Sequence, residues 1–241
     1  MKRIFDFTFS LIGLFVLSPL FILFMIIIWL QDFNNPFYIS PRVGKNGAEF
    51  KMIKLRSMIV RINNLGPDST SSDDKRITKV GYFIRKFKFD ELSQLFNVLI
   101  GDMSLVGPRP NVKNETDLYT DLEKKLLSVK PGITDFASIV FSDEGSILES
   151  KSDPDLAYNQ LIRPWKSRLG LVYIESKTLI LDFQLIFYTL VSIVSKSSAL
   201  FWINKKLKKL NVDDNLLEIS CRQIELYPYP PPGSKKVVLT R

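Results

Sequence analysis

The chain has 241 residues, a formal net charge of +8, no histidine and a single cysteine, Cys221. This length accommodates one sizeable domain and a membrane segment but not two large domains, and the lack of histidine excludes triads, zinc sites and general bases that depend on imidazole. One cysteine excludes an internal disulfide and fits a reducing compartment, whereas the positive charge suits an anionic partner such as a phosphorylated substrate, a bilayer or nucleic acid.

Residues 11–30 form an uncharged apolar run that Ser18 and Pro19 interrupt. About 20 apolar residues suffice to cross the hydrocarbon core, so a spanning helix is one interpretation. Pro19 removes a backbone donor and predicts a kink, which the Ser18 hydroxyl can make tolerable in lipid by binding a freed carbonyl. Basic residues flank the run on both sides and favour both ends on one side of the membrane. We therefore predict a re-entrant membrane helix within residues 1–33, and a cleaved signal peptide fits less well.

The next region, residues 34–203, is expected to form the catalytic domain. A hairpin is predicted over 36–58 around a turn bounded by Gly44 and Gly47. Apolar spacing predicts a helix over 77–100 that ends at Gly101. The other elements expected before residue 155 are a polar loop over 62–75, a stiff turn over 104–110, a helix over 115–129 stopped by Pro131-Gly132, and an acidic loop over 142–155.

Helical patterns return over 154–177, and the apolar stretch over 179–203 fits either a core position or a membrane interface with the following lysines toward anionic lipid. Residues 204–241 form a basic and proline-rich tail, in which Tyr227–Gly233 is either a disordered end or a ligand for a partner. The predicted fold is mixed α/β, mostly helical with a small β-hairpin. The chain is predicted to be a monotopic membrane protein with one kinked re-entrant helix.

Pairs of adjacent acidic residues are the leading candidates for phosphate chemistry, because carboxylates are the ligands that a hard metal prefers. Asp90-Glu91 follows three cationic residues and precedes an apolar helical face. In one interpretation Asp90 caps the helix and Glu91 favours its dipole; in the other, a carboxylate held ionised by nearby N–H groups and cations is a nucleophile or a metal ligand. The remaining pairs are expected to be solvated loop carboxylates, namely Asp73-Asp74, Asp143-Glu144 and Asp213-Asp214.

Three further cations are candidates for binding phosphate. Pro108 and Pro110 fix the backbone on either side of Arg109, so its guanidinium is displayed at little ordering cost, as a diphosphate clamp requires. A solvated arginine in a turn is the alternative. Lys54 and Arg56 alternate on the predicted strand and so share one face, which suits phosphate but is also common on exposed strands.

Several motifs together resemble one family. In chain order they are KRIFDF before the apolar run, FKMIKLRSM, RITKVGYFIRKFKFDELSQLFNVLIGDMSLVGPRP and KPGIT. This order is similar to that of the bacterial sugar transferases known as monotopic phosphoglycosyl transferases. The resemblance covers about residues 1–200, is most specific from Arg76 to Pro110, and is to the small form without extra spanning helices in front.

The resemblance implies transfer of a sugar-1-phosphate from a nucleotide sugar, with a uridine diphosphate sugar expected, to polyprenyl (undecaprenyl) phosphate. It implies that Asp90 attacks the β-phosphate to give an acyl-phosphate sugar intermediate and that Glu91 binds Mg²⁺. Arg109 would hold phosphate or nucleotide, with Arg85, Lys54 and Arg56 as supporting cations. The implied location is the cytoplasmic face of the bacterial inner membrane, at the first step of a surface polysaccharide or glycoconjugate, with downstream glycosyltransferases as candidate partners.

A second reading from another class is a non-catalytic membrane scaffold that recruits anionic lipid or partner enzymes. A scaffold has no need of the acid pair, the arginine between prolines and the basic strand together. Binding of nucleic acid would rest on net charge alone and is not expected.

The sequence departs from the family pattern after KPGIT. The family usually continues with GWAQVNG, whereas residues 135–141 here read DFASIVF and are followed by SDEG. This region is expected to contact the donor, so the transferred sugar is not predicted. Ser93 stands where a proline is frequent, and the last forty residues have no counterpart in the smallest members.

Overall fold

The computed structural model describes residues 1–60 and 69–240. It is mostly helical, with two small sheets and one long apolar helix at the N-terminus. The elements in chain order are α1 (Lys2–Leu30), β1 (Phe37–Val43), β2 (Glu49–Leu55), α2 (Lys79–Lys86), α3 (Gln94–Ile100), β3 (Ser104–Val106), α4 (Lys113–Thr116), β4 (Gly132–Thr134), α5 (Phe136–Val140), α6 (Glu144–Ile147), α7 (Pro154–Ala157), α8 (Arg163–Ser176), α9 (Leu179–Val194), α10 (Lys196–Lys209) and α11 (Asp214–Cys221).

The predicted hairpin is confirmed. β1 and β2 pair antiparallel, from Phe37 opposite Leu55 to Val43 opposite Glu49. The turn between them contains Asn46 and Gly47 with φ angles of 59° and 78°. Both angles lie in the left-handed region, which glycine and asparagine adopt at the lowest cost.

β3 and β4 form a second sheet, which is parallel. The stiff turn expected over 104–110 is therefore wrong for its first three residues, which are a buried strand. Two glycines allow the strand ends to meet closely, because a Cβ atom on Gly132 would lie 2.0 Å from the backbone nitrogen of Gly107. Any larger residue at Gly132 would push the loop after β3 away.

The helix predicted over 77–100 is divided in two. Lys88, with φ of 57°, adopts the left-handed conformation after α2, and a 3₁₀ turn over Phe89–Glu91 precedes α3. Periodicity missed this break because apolar side chains continue across it. The stop at Gly101 is confirmed, with φ of 98°. The helix predicted over 115–129 is wrong in the same way, since only α4 and a 3₁₀ turn over Glu123–Ser128 form.

The core is built around α8. Trp165, Leu169 and Tyr173 on this helix are buried within one cluster that also includes residues of α5, α9, α10 and α11. Arg163 at the start of α8 forms a fully buried ion pair with Glu123 at 2.6 Å, and Ser167 donates to the same carboxylate at 2.7 Å. The pair holds the 3₁₀ turn against the core, and removing one partner would leave an uncompensated buried charge.

The later helices modify two further predictions. The acidic loop expected over 142–155 contains α6 and the start of α7, whereas the helical pattern over 154–177 is confirmed, with a π-helical turn over Tyr158–Ile162 before α8. The 179–203 stretch divides between α9 and α10 at Ser195. One face of α9 packs in the core and the opposite face exposes Phe183 and Phe187.

The tail packs on the domain. After α11, an extended segment stacks Tyr229 on Trp165 with 4.3 Å between ring centres. Arg168 donates to the Pro230 carbonyl at 3.0 Å, and the Thr120 hydroxyl donates to the Pro232 carbonyl at 2.5 Å. The interpretation of this segment as a disordered end is therefore wrong. Within the described range, its proline-rich part is a ligand of this chain's own core.

α1 runs without interruption through Pro19. The Ser18 hydroxyl donates to the Phe15 carbonyl at 2.7 Å, which is the carbonyl that an N–H group at position 19 would bind in a regular helix. Ser18 thus satisfies the group that Pro19 frees, as expected. A kink at this point stays a prediction. By length and composition, α1 is the helix among residues 1–60 and 69–240 that could cross a membrane.

Both ends of α1 contact the domain. The Lys2 ammonium lies 2.6 Å from the Asp182 carboxylate on α9. At the other end, Phe24 and Ile28 pack with Leu55 and Ile84 in a second apolar cluster. The helix therefore lies along the domain with one face buried, while most of its remaining apolar side chains are exposed.

Candidate active site

A cavity of about 560 Å³ brings most of the predicted site residues together. They come from separate elements of the fold. The predicted residues that line it are Lys54 from β2, Arg85 from α2, Asp90 and Glu91 from the 3₁₀ turn, and Arg109 from the loop after β3.

Arg56 lies apart from this group. Its guanidinium forms two hydrogen bonds of 2.6 Å with the Asp32 carboxylate and one of 2.9 Å with the Asn35 carbonyl. The expectation that Lys54 and Arg56 share one face is wrong because β2 ends at Leu55, so the alternation does not extend to residue 56. Arg56 instead fixes the chain that leaves α1.

The Asp90-Glu91 dyad is placed by the break between α2 and α3. The left-handed conformation of Lys88 reverses the chain, and the Lys88 ammonium donates to the Ser138 carbonyl at 3.1 Å across the cavity wall. Asp90 is buried in the following turn. The residue preceding α3 is Ser93, and no side chain caps this helix. The capping interpretation of Asp90 is therefore wrong, and capping does not explain why the Asp90 side chain is buried.

Ser93, just before α3, and Asn97 within α3 dock the dyad against β2. The Ser93 hydroxyl donates to the Ile53 carbonyl at 3.0 Å. The Asn97 amide accepts from Ile53 N–H at 2.9 Å and donates to the Lys51 carbonyl at 2.8 Å, so it binds the edge of β2 as a neighbouring strand would. This docking fixes Lys54 relative to Asp90 through regular elements rather than loops.

Arg109 is held by the parallel sheet and by Glu91. Gly107 N–H donates to the Thr134 carbonyl and Gly132 N–H to the Pro108 carbonyl, each at 3.0 Å. The Arg109 guanidinium donates to Glu91 at 2.5 Å. The alternative of a solvated arginine in a turn is therefore wrong.

Charge–charge interactions set the ionisation of the nucleophile candidate and its neighbour. Burial raises the pKa of Asp90, and the Lys54 ammonium partly offsets this effect. Burial, with the nearby Arg109 charge, lowers the pKa of Lys54 to about 8. Each group therefore favours the charged form of the other.

Glu91 and Arg109 are more firmly charged. Burial opposes ionisation of Glu91, but Arg109, Lys88 and Lys54 outweigh it and bring the pKa of this carboxyl to about 2. The Glu91 charge in turn raises the pKa of Arg109. Burial lowers the pKa of Lys88. The lining of the cavity contains eight lysine or arginine residues and five acidic residues, an excess of positive charge that suits a polyanion.

Sequence reasoning missed the opposite wall of the cavity. Glu144 forms an ion pair with Lys166, and Asp143 lies 2.7 Å from Lys196 and 3.2 Å from Arg222. The expectation that Asp143-Glu144 is a solvated loop pair is wrong, because cations from α8, α10 and the segment after α11 converge on it. The available signal was the departure of this segment from the family pattern.

The chemistry of the donor set fits Mg²⁺ held jointly with a substrate. In the described part of the chain, no three Cys, Asp or Glu side chains gather as a complete metal site. Mg²⁺ commonly uses one or two carboxylates and takes its other ligands from water and substrate phosphates. Asp90 and Glu91 offer two adjacent carboxylates at the cavity.

Comparison with known proteins identifies the family. The model of the bacterial sugar transferases matches residues 1–196, which include every residue of the predicted site. The chain belongs to the bacterial sugar transferase family. Residues 197–241, which contain most of α10 and all of α11, lie beyond the match.

Curated relatives of this sugar transferase act on undecaprenyl phosphate or in polysaccharide production, according to their names. A putative undecaprenyl-phosphate N-acetylgalactosaminyl 1-phosphate transferase of Bacillus subtilis is 43% identical over 133 residues, which are 55% of this chain and 70% of the relative. The exopolysaccharide production protein ExoY of Rhizobium meliloti is 36% identical over 148 residues, 55% of this chain and 66% of the relative. An undecaprenyl-phosphate galactose phosphotransferase of Salmonella typhimurium is 41% identical over 152 residues, 56% of this chain and 31% of the relative.

The sugar transferase thus matches about two thirds of the shorter relatives and about a third of a longer one. The names of these relatives include different sugars, namely N-acetylgalactosamine and galactose. These two names share undecaprenyl phosphate and differ in the transferred sugar.

Proposed function

We propose that this sugar transferase moves a sugar-1-phosphate from a nucleotide diphosphate sugar, with uridine as the nucleoside, to undecaprenyl phosphate. The observation that carries the proposal is the placement of Asp90, which is buried at the cavity beside Glu91, Lys54 and Arg109. The names of the curated relatives support the acceptor and the kind of transfer. The product would begin a surface polysaccharide or glycoconjugate.

The chemistry would proceed in two displacements at the β-phosphorus of the donor. A carboxylate oxygen of Asp90 forms a bond to this phosphorus, and the bond to the bridging oxygen breaks, so that nucleoside monophosphate leaves. An oxygen of the acceptor phosphate then attacks the same phosphorus and releases the Asp90 carboxylate. Splitting the transfer in this way lets the two bulky substrates use the cavity in turn.

The cations of the cavity would stabilise the charge that develops on the transferring and leaving oxygens. Arg109 presents a planar fork suited to phosphate, and its ion pair with Glu91 fixes its orientation. Lys54 would hold Asp90 anionic before attack. Arg85 lines the same cavity and adds charge without a fixed role in our proposal. Such preorganised groups cost no rearrangement when the reaction occurs.

Mg²⁺ would be held by Glu91 together with the diphosphate, with Asp90 adjacent. When bound, it would neutralise diphosphate charge and favour departure of the nucleotide. Glu91 is suited to this role because its pKa of about 2 keeps it ionised near neutral pH.

We place the protein in the bacterial inner membrane with the cavity on the cytoplasmic face. α1 would enter one leaflet and return, as a re-entrant helix. Contacts at both ends of α1 with the same domain support this placement, since Lys2 pairs with Asp182 and Arg56 pairs with Asp32 next to the helix end. A straight span would carry one of these ends about 30 Å away across the hydrocarbon core.

The test is turnover of defined substrates by the purified full chain. Uridine diphosphate sugars are supplied one at a time with Mg²⁺ and undecaprenyl phosphate, and uridine monophosphate is measured. Release of more than one equivalent of the nucleotide per chain, dependent on the acceptor, on Mg²⁺ and on Asp90, supports the proposal. No release with any donor, from protein that is folded and bound to nanodiscs, would favour the non-catalytic scaffold.

A further inference from the structure

α10 has one face in the core and an opposite face that exposes two aromatic side chains near the middle of the helix. Ala199, Ile203 and Leu207 are fully buried. Phe201 and Trp202 on the other side are 63% and 39% exposed. These residues follow the end of the family match, so family membership does not account for the exposed aromatic pair.

The exposed face of α10 is also basic. The helix contains no acidic residue. Lys205 Nζ lies 5.2 Å from the centre of the Trp202 ring, so the cationic and aromatic groups form one surface. Three lysines in the last turn favour the negative end of the helix dipole, but this does not explain exposed rings beside them. Aromatic rings beside lysines are typical of a helix that lies on the surface of an anionic bilayer.

Aromatic contacts link this surface to the exposed side of α1. Phe9 on α1 lies 5.3 Å from Phe183 on α9, between ring centres. Further along α9, Tyr188 stacks on Trp202 at 6.3 Å. Phe183 is itself half exposed. A bilayer in contact with the exposed side of α1 would therefore meet α9 and then α10.

The corner between α9 and α10 also belongs to the cavity. Ile193 and Lys196 line it together with Asp90, and the neighbouring Val194 is 90% exposed. A membrane contact at α10 would therefore set the rim of the cavity beside the headgroups.

We propose that the exposed face of α10, formed by Phe201, Trp202, Lys205, Lys208 and Lys209, is a second membrane-contacting surface that binds anionic phospholipid. The rings enter the interface and the lysines contact headgroup phosphates, with their alkyl chains along the apolar boundary. The proposal rests on the membrane placement of α1 and goes beyond it, because α1 alone would anchor the chain without fixing the orientation of α10.

The experiment measures membrane depth at single nitroxide labels on the full chain in nanodiscs. Labels are attached after Trp202→Cys or, independently, Phe201→Cys in a Cys221→Ser background. Collision with oxygen, which concentrates in lipid, is compared with collision with a water-soluble nickel chelate. The control is Asp121→Cys, since the Asp121 side chain is 99% exposed and lies on neither α1 nor α10.

We expect an oxygen-to-nickel collision ratio several-fold higher at positions 201 and 202 than at position 121. The ratio should rise further when phosphatidylglycerol replaces part of the phosphatidylcholine. Combined Lys205→Glu, Lys208→Glu and Lys209→Glu should lower the ratio at position 202 while the chain stays bound through α1.

Equal ratios at positions 121, 201 and 202, or ratios that do not respond to phosphatidylglycerol, overturn the proposal. Dipolar broadening that grows with the number of chains per nanodisc would show instead that a second copy covers α10. A label after Val16→Cys, on the exposed side of α1, tests the anchor separately. Water contact at position 16 contradicts the membrane placement of α1, whereas lipid contact at 16 with water contact at 202 contradicts only the proposal for α10.

Discussion

Arg109 Nη2 lies 2.5 Å from Glu91 Oε1, so one ion pair joins the loop after β3 to the turn between α2 and α3. The two residues are 18 positions apart and belong to different parts of the fold. Their ion pair brings the proline-flanked arginine and the acidic dyad together in one site. The ion pair orients Glu91, and in our proposal Arg109 also binds phosphate.

Arg109→Ala should lower kcat/KM for the nucleotide-sugar donor by about 10²–10³-fold, the usual cost of removing one preorganised donor to a developing charge. Arg109→Lys should recover only part of this loss, because an ammonium cannot form the two-point contact of a guanidinium. Steady-state kinetics on nanodisc-bound protein measure both. Unchanged donor kinetics in Arg109→Ala would contradict the clamp role.

Arg56→Ala should behave oppositely. The Arg56 guanidinium is buried and pairs with Asp32 away from the cavity, so its loss should lower the thermal unfolding temperature and leave the KM of the donor unchanged. Thermal unfolding and donor kinetics on the same preparation separate the two residues. A raised donor KM with unchanged stability would show that Arg56 contributes to donor binding, as the strand alternation predicts.

The dependence of kcat/KM on pH should be bell-shaped. In the proposed mechanism Asp90 attacks only when ionised, and burial raises its pKa, so activity should be lost as the pH falls through that value. The Lys54 ammonium has a pKa lowered to about 8, so its contribution is lost as the pH rises through this region. In Lys54→Arg the cation persists, and the basic limb should move to higher pH. A basic limb that stays in place would show that another group titrates there.

Asn97→Leu should destabilise the docking of α3 on β2. It leaves the partly buried Ile53 N–H and Lys51 carbonyl without their partner. A fully buried group left unpaired costs about 1–3 kcal/mol, so we expect the lower end of this range for each. Chemical unfolding in detergent micelles gives the change in free energy. Asn114→Leu is the control, since Asn114 is exposed and a surface change of this kind is expected to stay within about 0.5 kcal/mol. Equal effects of the two changes would refute the role of Asn97.

The local elements were largely predictable from the sequence. The hairpin, the stop at Gly101 and the helix pattern over 154–177 follow from glycine turns and apolar spacing. The break at Lys88 was not predictable, because a lysine in the left-handed conformation has no sequence signature and the surrounding fold imposes it. That break places the dyad at the cavity. Apolar periodicity therefore failed to predict the feature that positions Asp90 and Glu91.

The site was predictable only in part. The motifs indicated Asp90, Glu91, Lys54, Arg85 and Arg109, all of which line one cavity. The opposite wall was missed, because Asp143 and Glu144 acquire their partners from residues 22 to 79 positions away. Pairing over such distances in sequence depends on tertiary packing.

The path of α1 can be tested by labelling its flanks. Single cysteines introduced by Lys2→Cys and by Asn34→Cys, each in a Cys221→Ser background, should both react with an impermeant reagent from the cytoplasmic side. In Pro19→Ala, straightening of the helix should favour a span and expose the two positions on opposite sides. In chains that keep Pro19, labelling of the two positions from opposite sides would contradict the re-entrant path.

The most direct test of the central proposal is the mass of the intact protein after incubation with Mg²⁺ and an accepted uridine diphosphate sugar, without undecaprenyl phosphate. We expect the chain to gain the mass of one sugar phosphate with release of uridine monophosphate, and to lose it when undecaprenyl phosphate is added. Asp90→Asn, folded and bound to nanodiscs, should gain no mass and transfer no sugar. Transfer to the lipid without any adduct on the chain, or transfer that persists in Asp90→Asn, would contradict the covalent mechanism.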